Sequence, residues 1–180
     1  ILTVDGVGEW TTTSYGYGED NEILLEKEIK FPHSLGLLYS AITAYLGFRV
    51  NNSEYKVMGL SSYGNKNKKE NEYYKKLKKV IDIKKDGSYR LDMSYFVYLY
   101  ADKMPSEKLC KLLGGPIKKK GSKLTQRDKD IAAALQMVYE EVYLKMLNHV
   151  HKKTNCDNVV IAGGCGLNSV ANKKKKKNTP

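Results

Sequence analysis

The hydrophobic pattern begins with a period of two and changes to helical spacing near residue 32. Residues 1–4, 9–17 and 22–29 are short runs in which aliphatic, threonine and aromatic residues alternate with small or polar ones. Three such runs in succession predict a three-stranded antiparallel meander. After Pro32-His33-Ser34, apolar Leu35, Leu38, Ile42 and Leu46 recur at three- and four-residue steps, with Ser34 placed to cap the helix and Gly47 to end it. Residues 53–124 mix patterns: a lysine-rich helix near 70–80, a hairpin turn at Asp86-Gly87, and a helix over 106–113 closed by Gly114-Gly115-Pro116. They predict a mainly helical insertion on a core formed by residues 1–52 and 125–172. From Thr125 the longest helix places Ile131, Leu135, Val138, Val142 and Met146 on one stripe. The apolar run at 158–162 predicts a strand buried on both faces, parallel to its neighbour, opening through Gly163, Gly164 and Gly166 into a last helix.

Composition narrows the class. With 180 residues, 41% of them hydrophobic, the chain is sized for one α/β domain with an excursion. No apolar run is long enough to cross a bilayer, so no membrane partner is expected. The three cysteines, Cys110, Cys156 and Cys165, are odd in number and lack Cys-x-x-Cys spacing, which argues against a disulfide scaffold or zinc site and fits a cytoplasmic setting. The chain opens at Ile1 directly in a strand pattern and reads as a piece of a longer polypeptide. Its net charge of +11 favours attraction to polyanions. The charge is mostly lysine with few arginines, as on solvated helix faces, so nucleic acid is expected only as a weak, sequence-blind partner. Residues 173–180, opening with five lysines, read as a basic tail. His149 and His151 stand two apart, on different helix faces, and read as end-of-helix residues rather than a metal pair.

Two stretches could carry chemistry. In the first, Asp5 enters an expected Asp5-Gly6-Val7-Gly8 turn. Its glycines expose backbone N–H groups to a phosphate, and its carboxylate could hold a metal ion or the metal's waters. The same residues also fit an ordinary surface hairpin. In the second, the glycines after residue 162 would let a nucleotide approach a helix N-terminus, or serve only close packing. Cys165 has no histidine or other base near it in sequence, so it reads as a small wall residue and not a nucleophile.

Asp5-Gly6-Val7-Gly8-Glu9, Pro32-His33-Ser34-Leu35-Gly36-Leu37-Leu38-Tyr39-Ser40, Glu54-Tyr55-Lys56-Val57-Met58-Gly59-Leu60 and the run from Ala162 to Asn172 occur in that order. This succession resembles the motifs of the NodU/CmcH-type O-carbamoyltransferases. The element order likewise resembles one half of an actin-like ATPase (ribonuclease-H-like) fold. The resemblance implies an enzyme that moves a carbamoyl group from carbamoyl phosphate, through a carbamoyl-adenylate made with ATP, to a hydroxyl of a sugar or other small molecule. It implies a YrdC-like module of the same parent chain that makes the adenylate. It also implies a divalent metal, Fe(II), held by a His-x-x-x-His pair and aspartates.

On this resemblance Asp5 matches the metal-binding, catalytic aspartate. Gly6, Gly8, Glu9 and Thr11 match the phosphate loop, and Gly163, Gly164 and Asn168 the nucleotide turn. Glu54 and Lys56 match a motif; chemistry alone assigns them a ribose contact and anion neutralisation, and an exposed ion pair is the other reading. The chain departs from the pattern in lacking the histidine pair, which would lie upstream of Ile1, and in having Lys173 after Asn172 where a glycine is expected. The 180 residues alone are therefore expected to be inactive. A sugar kinase, an enzyme of tRNA threonylcarbamoyladenosine synthesis, or a non-enzymatic basic binding module are the alternatives.

Overall fold

In the computed structural model, which describes residues 1–178 and side chains through Lys174, the chain forms an α/β structure that divides into two compact units. The end of the expected basic tail, residues 179–180, lies outside the described residues. The first unit comprises Ile1–Leu37, Ile83–Arg90 and the chain from Glu140; the second comprises Leu38–Asp82 and Leu91–Tyr139.

The first unit is built on a four-stranded mixed sheet. Strands β1 (Leu2–Gly8), β2 (Thr11–Glu19) and β3 (Glu22–Lys30) form the antiparallel meander. Strand β6 (Ile161–Ala162) lies parallel to β1, giving the order β3-β2-β1-β6. Burial follows position in the sheet. Leu2 and Val4 of central β1 are wholly buried, whereas nearly all of edge strand β3 is exposed, Ile23 and Leu25 included. The expectation that the 158–162 run is buried on both faces is corrected: Val160 is 65% exposed. The reason is that β6 is the other edge strand, with β1 as its one ladder neighbour among the described residues.

Helix α1 (Leu35–Tyr45) begins in this unit. Ser34 caps it, its Oγ accepting from Leu37 N at 2.9 Å, which satisfies an N–H that has no partner within the helix. Helix α6 (Ser169–Asn178) closes the unit and continues through the lysine run. Lys174 there pairs with the buried carboxylate of Glu140.

The second unit holds α2 (Glu54–Leu60), α3 (Glu72–Leu77) and α4 (Glu107–Leu113). Asn71 caps α3 by accepting from Tyr73 N and Tyr74 N, and Ser106 caps α4 by accepting from Leu109 N. Gly114 ends α4 at φ 87°, a left-handed conformation open to glycine. The short hairpin β4 (Ile81–Ile83) and β5 (Tyr89–Leu91), whose residues Ile83–Arg90 belong to the first unit, turns at Gly87, also at positive φ. Helix α5 (Gln126–Thr154) is the longest element. Asp128 and Thr125 bond reciprocally at its start, Asp128 Oδ2 accepting from Thr125 N at 2.8 Å and Asp128 N donating to Thr125 Oγ1 at 3.4 Å. The predicted stripe is buried, but so are Ala132, Ala134, Gln136 and Tyr139 on its other faces, which makes α5 a core helix and not an amphipathic one. Among the described residues no helix is long and apolar enough to cross a membrane.

Candidate functional site

The residues around Asp5 do not form the turn expected from their sequence. β1 runs straight through Asp5, Gly6 and Val7, and the hairpin reverses instead at Glu9-Trp10, with Glu9 at φ 55°. The physical reason is a bulge. The β1–β2 register passes from Val4↔Thr13 to Gly8↔Thr11, so three residues of β1 stand opposite the single residue Thr12. Asp5, Gly6 and Val7 therefore have no ladder partners in β2.

Three segments converge on this bulge within the first unit. The first is the bulge itself, where Asp5 Oδ1 accepts from Gly6 N at 2.7 Å. The second is the turn after β6, whose Gly164 N donates to the same oxygen at 3.3 Å. Asp5 Oδ1 is thus occupied by two backbone donors, while Oδ2, on the side of Gly8, has no hydrogen-bond partner among the described residues. The third is the start of α1. Ser34 Oγ donates to Gly6 O at 2.5 Å, with Asp5 O at 3.2 Å.

Glycine is required where these segments touch. A Cβ on Gly36 would stand 2.7 Å from Asp5 O, 2.7 Å from Gly6 Cα and 2.8 Å from Cys165 Sγ. One on Gly163, at φ 90°, would stand 2.3 Å from Val4 O. Gly163 therefore serves close approach of the turn to β1, the packing role that the sequence left open. Asn168 is buried and caps α6, its Oδ1 accepting from Ala171 N at 3.0 Å. Asn172 closes the same turn by donating from Nδ2 to Gly166 O at 2.8 Å.

The remaining expected site residues are placed as follows. Glu9 is exposed at the hairpin tip. Thr11 Oγ1 donates to Glu28 Oε2 at 2.5 Å, and the Lys30 ammonium together with this hydroxyl holds the Glu28 carboxyl below its ordinary range. Gly8 faces Thr11 O, 3.2 Å from where its Cβ would be. Glu54 and Lys56 belong to the second unit, on α2. Glu54 Oε1 accepts from Ser40 Oγ and from Asn51 N, both at 2.9 Å, which fixes the loop leading into its own helix. Lys56 Nζ stands 5.8 Å from the centre of the Tyr55 ring. His149 bonds to Tyr15 OH at 3.2 Å, and His151 to Asp157 at 3.3 Å.

Two residues of the first unit that sequence reasoning passed over hold the site's surroundings. Tyr89 OH accepts from Leu35 N at 2.9 Å and bonds Thr13 Oγ1 at 3.0 Å, and burial pushes this phenol up to about 12. Thr12 Oγ1 spans Ile29 O and His33 O. Burial, then the Arg90 charge, pushes His33 below its ordinary value, so near neutral pH its Nε2 accepts from Arg90 Nε at 3.3 Å. Asp5 is an oxygen donor suited to a hard divalent cation, but it is a single ligand. Among the described residues no group of three His, Cys, Asp or Glu side chains could hold a metal. These residues do not by themselves make a metal site.

A family model described as "Carbamoyltransferase N-terminus" matches residues 1–180. The chain is 47% identical over 173 residues to the uncharacterized protein sll1178 of Synechocystis sp., an alignment covering 96% of this chain and 27% of that protein. It is 30% identical over 174 residues to the nodulation protein NolNO of Sinorhizobium fredii, covering 97% and 23% respectively. With the nodulation protein NolO of Bradyrhizobium diazoefficiens identity is 27% over 176 residues, covering 97% and 29%. The chain thus spans about a quarter of the length of these relatives.

Proposed function

We propose a function from one premise: this chain belongs to the carbamoyltransferase N-terminus family. The chain is part of the transfer module of an ATP-dependent O-carbamoyltransferase, built as half of an actin-like fold. Its longer polypeptide includes a YrdC-like module that makes carbamoyl-adenylate from carbamoyl phosphate and ATP. The acceptor is a hydroxyl of a sugar or other small molecule, and the setting is cytoplasmic.

One observation supports this reading above the others. Asp5 sits on a bulge with one carboxylate oxygen fixed by two backbone N–H groups and the other left without a protein partner among the described residues. A carboxylate held this way is preorganised for a ligand, because its orientation no longer has to be fixed when the ligand arrives. In the proposed reaction the acceptor oxygen forms a bond to the carbamoyl carbon and the bond to the adenylate phosphate breaks. The phosphate keeps the electron pair, and the hydroxyl proton is released. Gly6, with nothing within 4 Å of where a Cβ would stand, and Gly8 leave the bulge without side chains that would block the growing phosphate charge, while the Gly163-Gly164 turn and Asn168 line the adenosine side. A divalent metal, Fe(II), taking Asp5 Oδ2 as one ligand and histidines from outside this segment, would supply Lewis-acid chemistry. The test is pyrophosphate release by the full parent chain given ATP, with and without carbamoyl phosphate. Release that depends on carbamoyl phosphate supports the reading; release indifferent to it overturns the reading, and ATP split to ADP without pyrophosphate would favour kinase-like chemistry instead.

A further inference from the structure

We infer that Ser34 is a positioning residue for Asp5. This rests on the reading of Asp5 as the ligand-facing carboxylate. Between Val4 and Gly8, β1 loses its ladder to β2, so the peptide groups that set the direction of the Asp5 side chain are not held by the sheet on that side. The wholly buried Ser34 supplies a hold. Its hydroxyl hydrogen goes to Gly6 O at 2.5 Å, with Asp5 O beside it at 3.2 Å, and its oxygen accepts from Leu37 N at 2.9 Å. One hydroxyl thus joins the first turn of α1 to the two carbonyls flanking the bond that orients Asp5.

Gly36 reinforces the placement, since its missing side chain lets α1 approach Asp5 O and Gly6 Cα. The consequence falls on Asp5 Oδ1. That atom can meet Gly6 N at 2.7 Å and Gly164 N at 3.3 Å together only while the 5–6 peptide keeps its orientation. If Ser34 releases that peptide, Asp5 can reach one donor or the other, and Oδ2 loses its fixed direction.

Tyr89 separates positioning from mere support of the helix. Its phenol also holds the start of α1, through Leu35 N, yet it bonds Thr13 and makes no hydrogen bond to residues 5–7. Ser34→Ala and Tyr89→Phe therefore each remove one bond from the same helix terminus, and only the first touches the Asp5 peptide.

The experiment compares the two variants in the full parent chain by two readouts. Amide hydrogen exchange at Gly6 and Gly164 reports whether Asp5 Oδ1 keeps both donors, whatever reaction the protein catalyses. The kcat and KM for carbamoyl transfer report the consequence. Ser34→Ala is expected to speed exchange at both amides and to lower kcat by about tenfold or more with a smaller change in KM, in line with the sensitivity of catalysis to small misplacements. Tyr89→Phe is expected to leave kcat and KM near wild type and to change exchange at Gly6 and Gly164 no more than it changes exchange at amides that open with global unfolding. Ser34→Thr, which keeps the hydroxyl, is expected to restore both readouts. If Ser34→Ala does not fold, Ser34→Gly is read in its place, since glycine is tolerated at a helix cap and also lacks the hydroxyl. Equal effects of Ser34→Ala and Tyr89→Phe, unchanged exchange at Gly6 and Gly164 in Ser34→Ala, or failure of a folded Ser34→Thr to restore both readouts would overturn the inference. Wild-type protein without carbamoyl-phosphate-dependent chemistry would instead remove the functional reading and leave the exchange test to decide the role of Ser34.

Discussion

Gly36→Ala tests how tightly the site is built. An added methyl would lie 2.7 Å from two backbone atoms of Asp5 and Gly6 and 2.8 Å from Cys165 Sγ, whereas ordinary contact begins near 3.4 Å. Three segments would have to separate by about 0.7 Å, and two of the atoms concerned are main chain and cannot turn aside. Overpacking of this kind costs about 1–3 kcal/mol. Alanine's better helix propensity returns at most about 1 kcal/mol, and less in a first turn. The balance is destabilising, and in a thermal melt followed by circular dichroism it should appear as a midpoint lowered by about 2–8 °C. Gly59→Ala in α2 is the control, because nothing lies within 4 Å of its added Cβ and the substitution should stabilise by about 0.5 kcal/mol. Under the proposed function, Gly36→Ala in the full parent chain should also lower kcat for transfer by about a hundredfold, through displacement of Asp5. A Gly36→Ala protein as stable as the wild type would refute the convergence of α1, the bulge and the Gly163 turn.

Gly163→Ala combines a φ of 90° with a Cβ 2.3 Å from Val4 O, so it should destabilise by about 3 kcal/mol or more and be seen as loss of soluble, folded protein in urea titration. Tyr89→Phe leaves Leu35 N without its partner and should cost about 1–3 kcal/mol at neutral pH. Burial raises the folded pKa of Tyr89 to about 12, so the native state keeps a proton that the unfolded chain loses near pH 10. Wild-type stability should therefore fall as the pH rises from 10 to 12, and Tyr89→Phe should flatten that decline in a denaturant series across the window. Asp128 behaves oppositely. Burial raises its pKa, but Lys118 at 2.8 Å and the Thr125 bonds outweigh this and hold it below the usual carboxylate range. Its contribution is full above about pH 4 and is lost as the pH falls through the folded value, so Asp128→Asn should destabilise by about 3 kcal/mol at pH 7 and by progressively less as the pH is lowered through that value.

The parts of this structure legible in the sequence are those set by local chemistry. Alternation over residues 1–29 gave the meander, Ser34, Ser106 and Thr125 marked helix starts, and the glycine run after Ala162 marked a turn between strand and helix. What stayed hidden depends on pairs distant along the chain. Asp-Gly signals a hairpin turn by its own conformational freedom, yet here the ladder slips by two residues and moves the turn to Glu9-Trp10, an outcome decided by which residues of β2 find partners. Ser34 was readable as a cap because that bond spans three residues; its bond to Gly6 spans 28 and leaves no local trace. The exposure of Val160 likewise follows from β6 standing at a sheet edge, which its apolar composition does not reveal. For the site, the sequence singled out Asp5, Gly163 and Gly164, and the structure brings these three together; Glu54 and Lys56 fall in the other unit.

The most direct measurement is the effect of Asp5→Asn on the two half-reactions of the full parent chain. Carbamoyl-phosphate-dependent pyrophosphate release is followed beside transfer of labelled carbamoyl to a panel of hydroxyl acceptors on which the wild type is active. Asparagine keeps the shape of the side chain and one acceptor oxygen while removing the charge. The account predicts that pyrophosphate release persists and transfer falls by at least about a hundredfold, as expected when a preorganised charged group is lost at a reacting centre. Transfer undiminished by Asp5→Asn would contradict the assignment of this bulge as the site of chemistry.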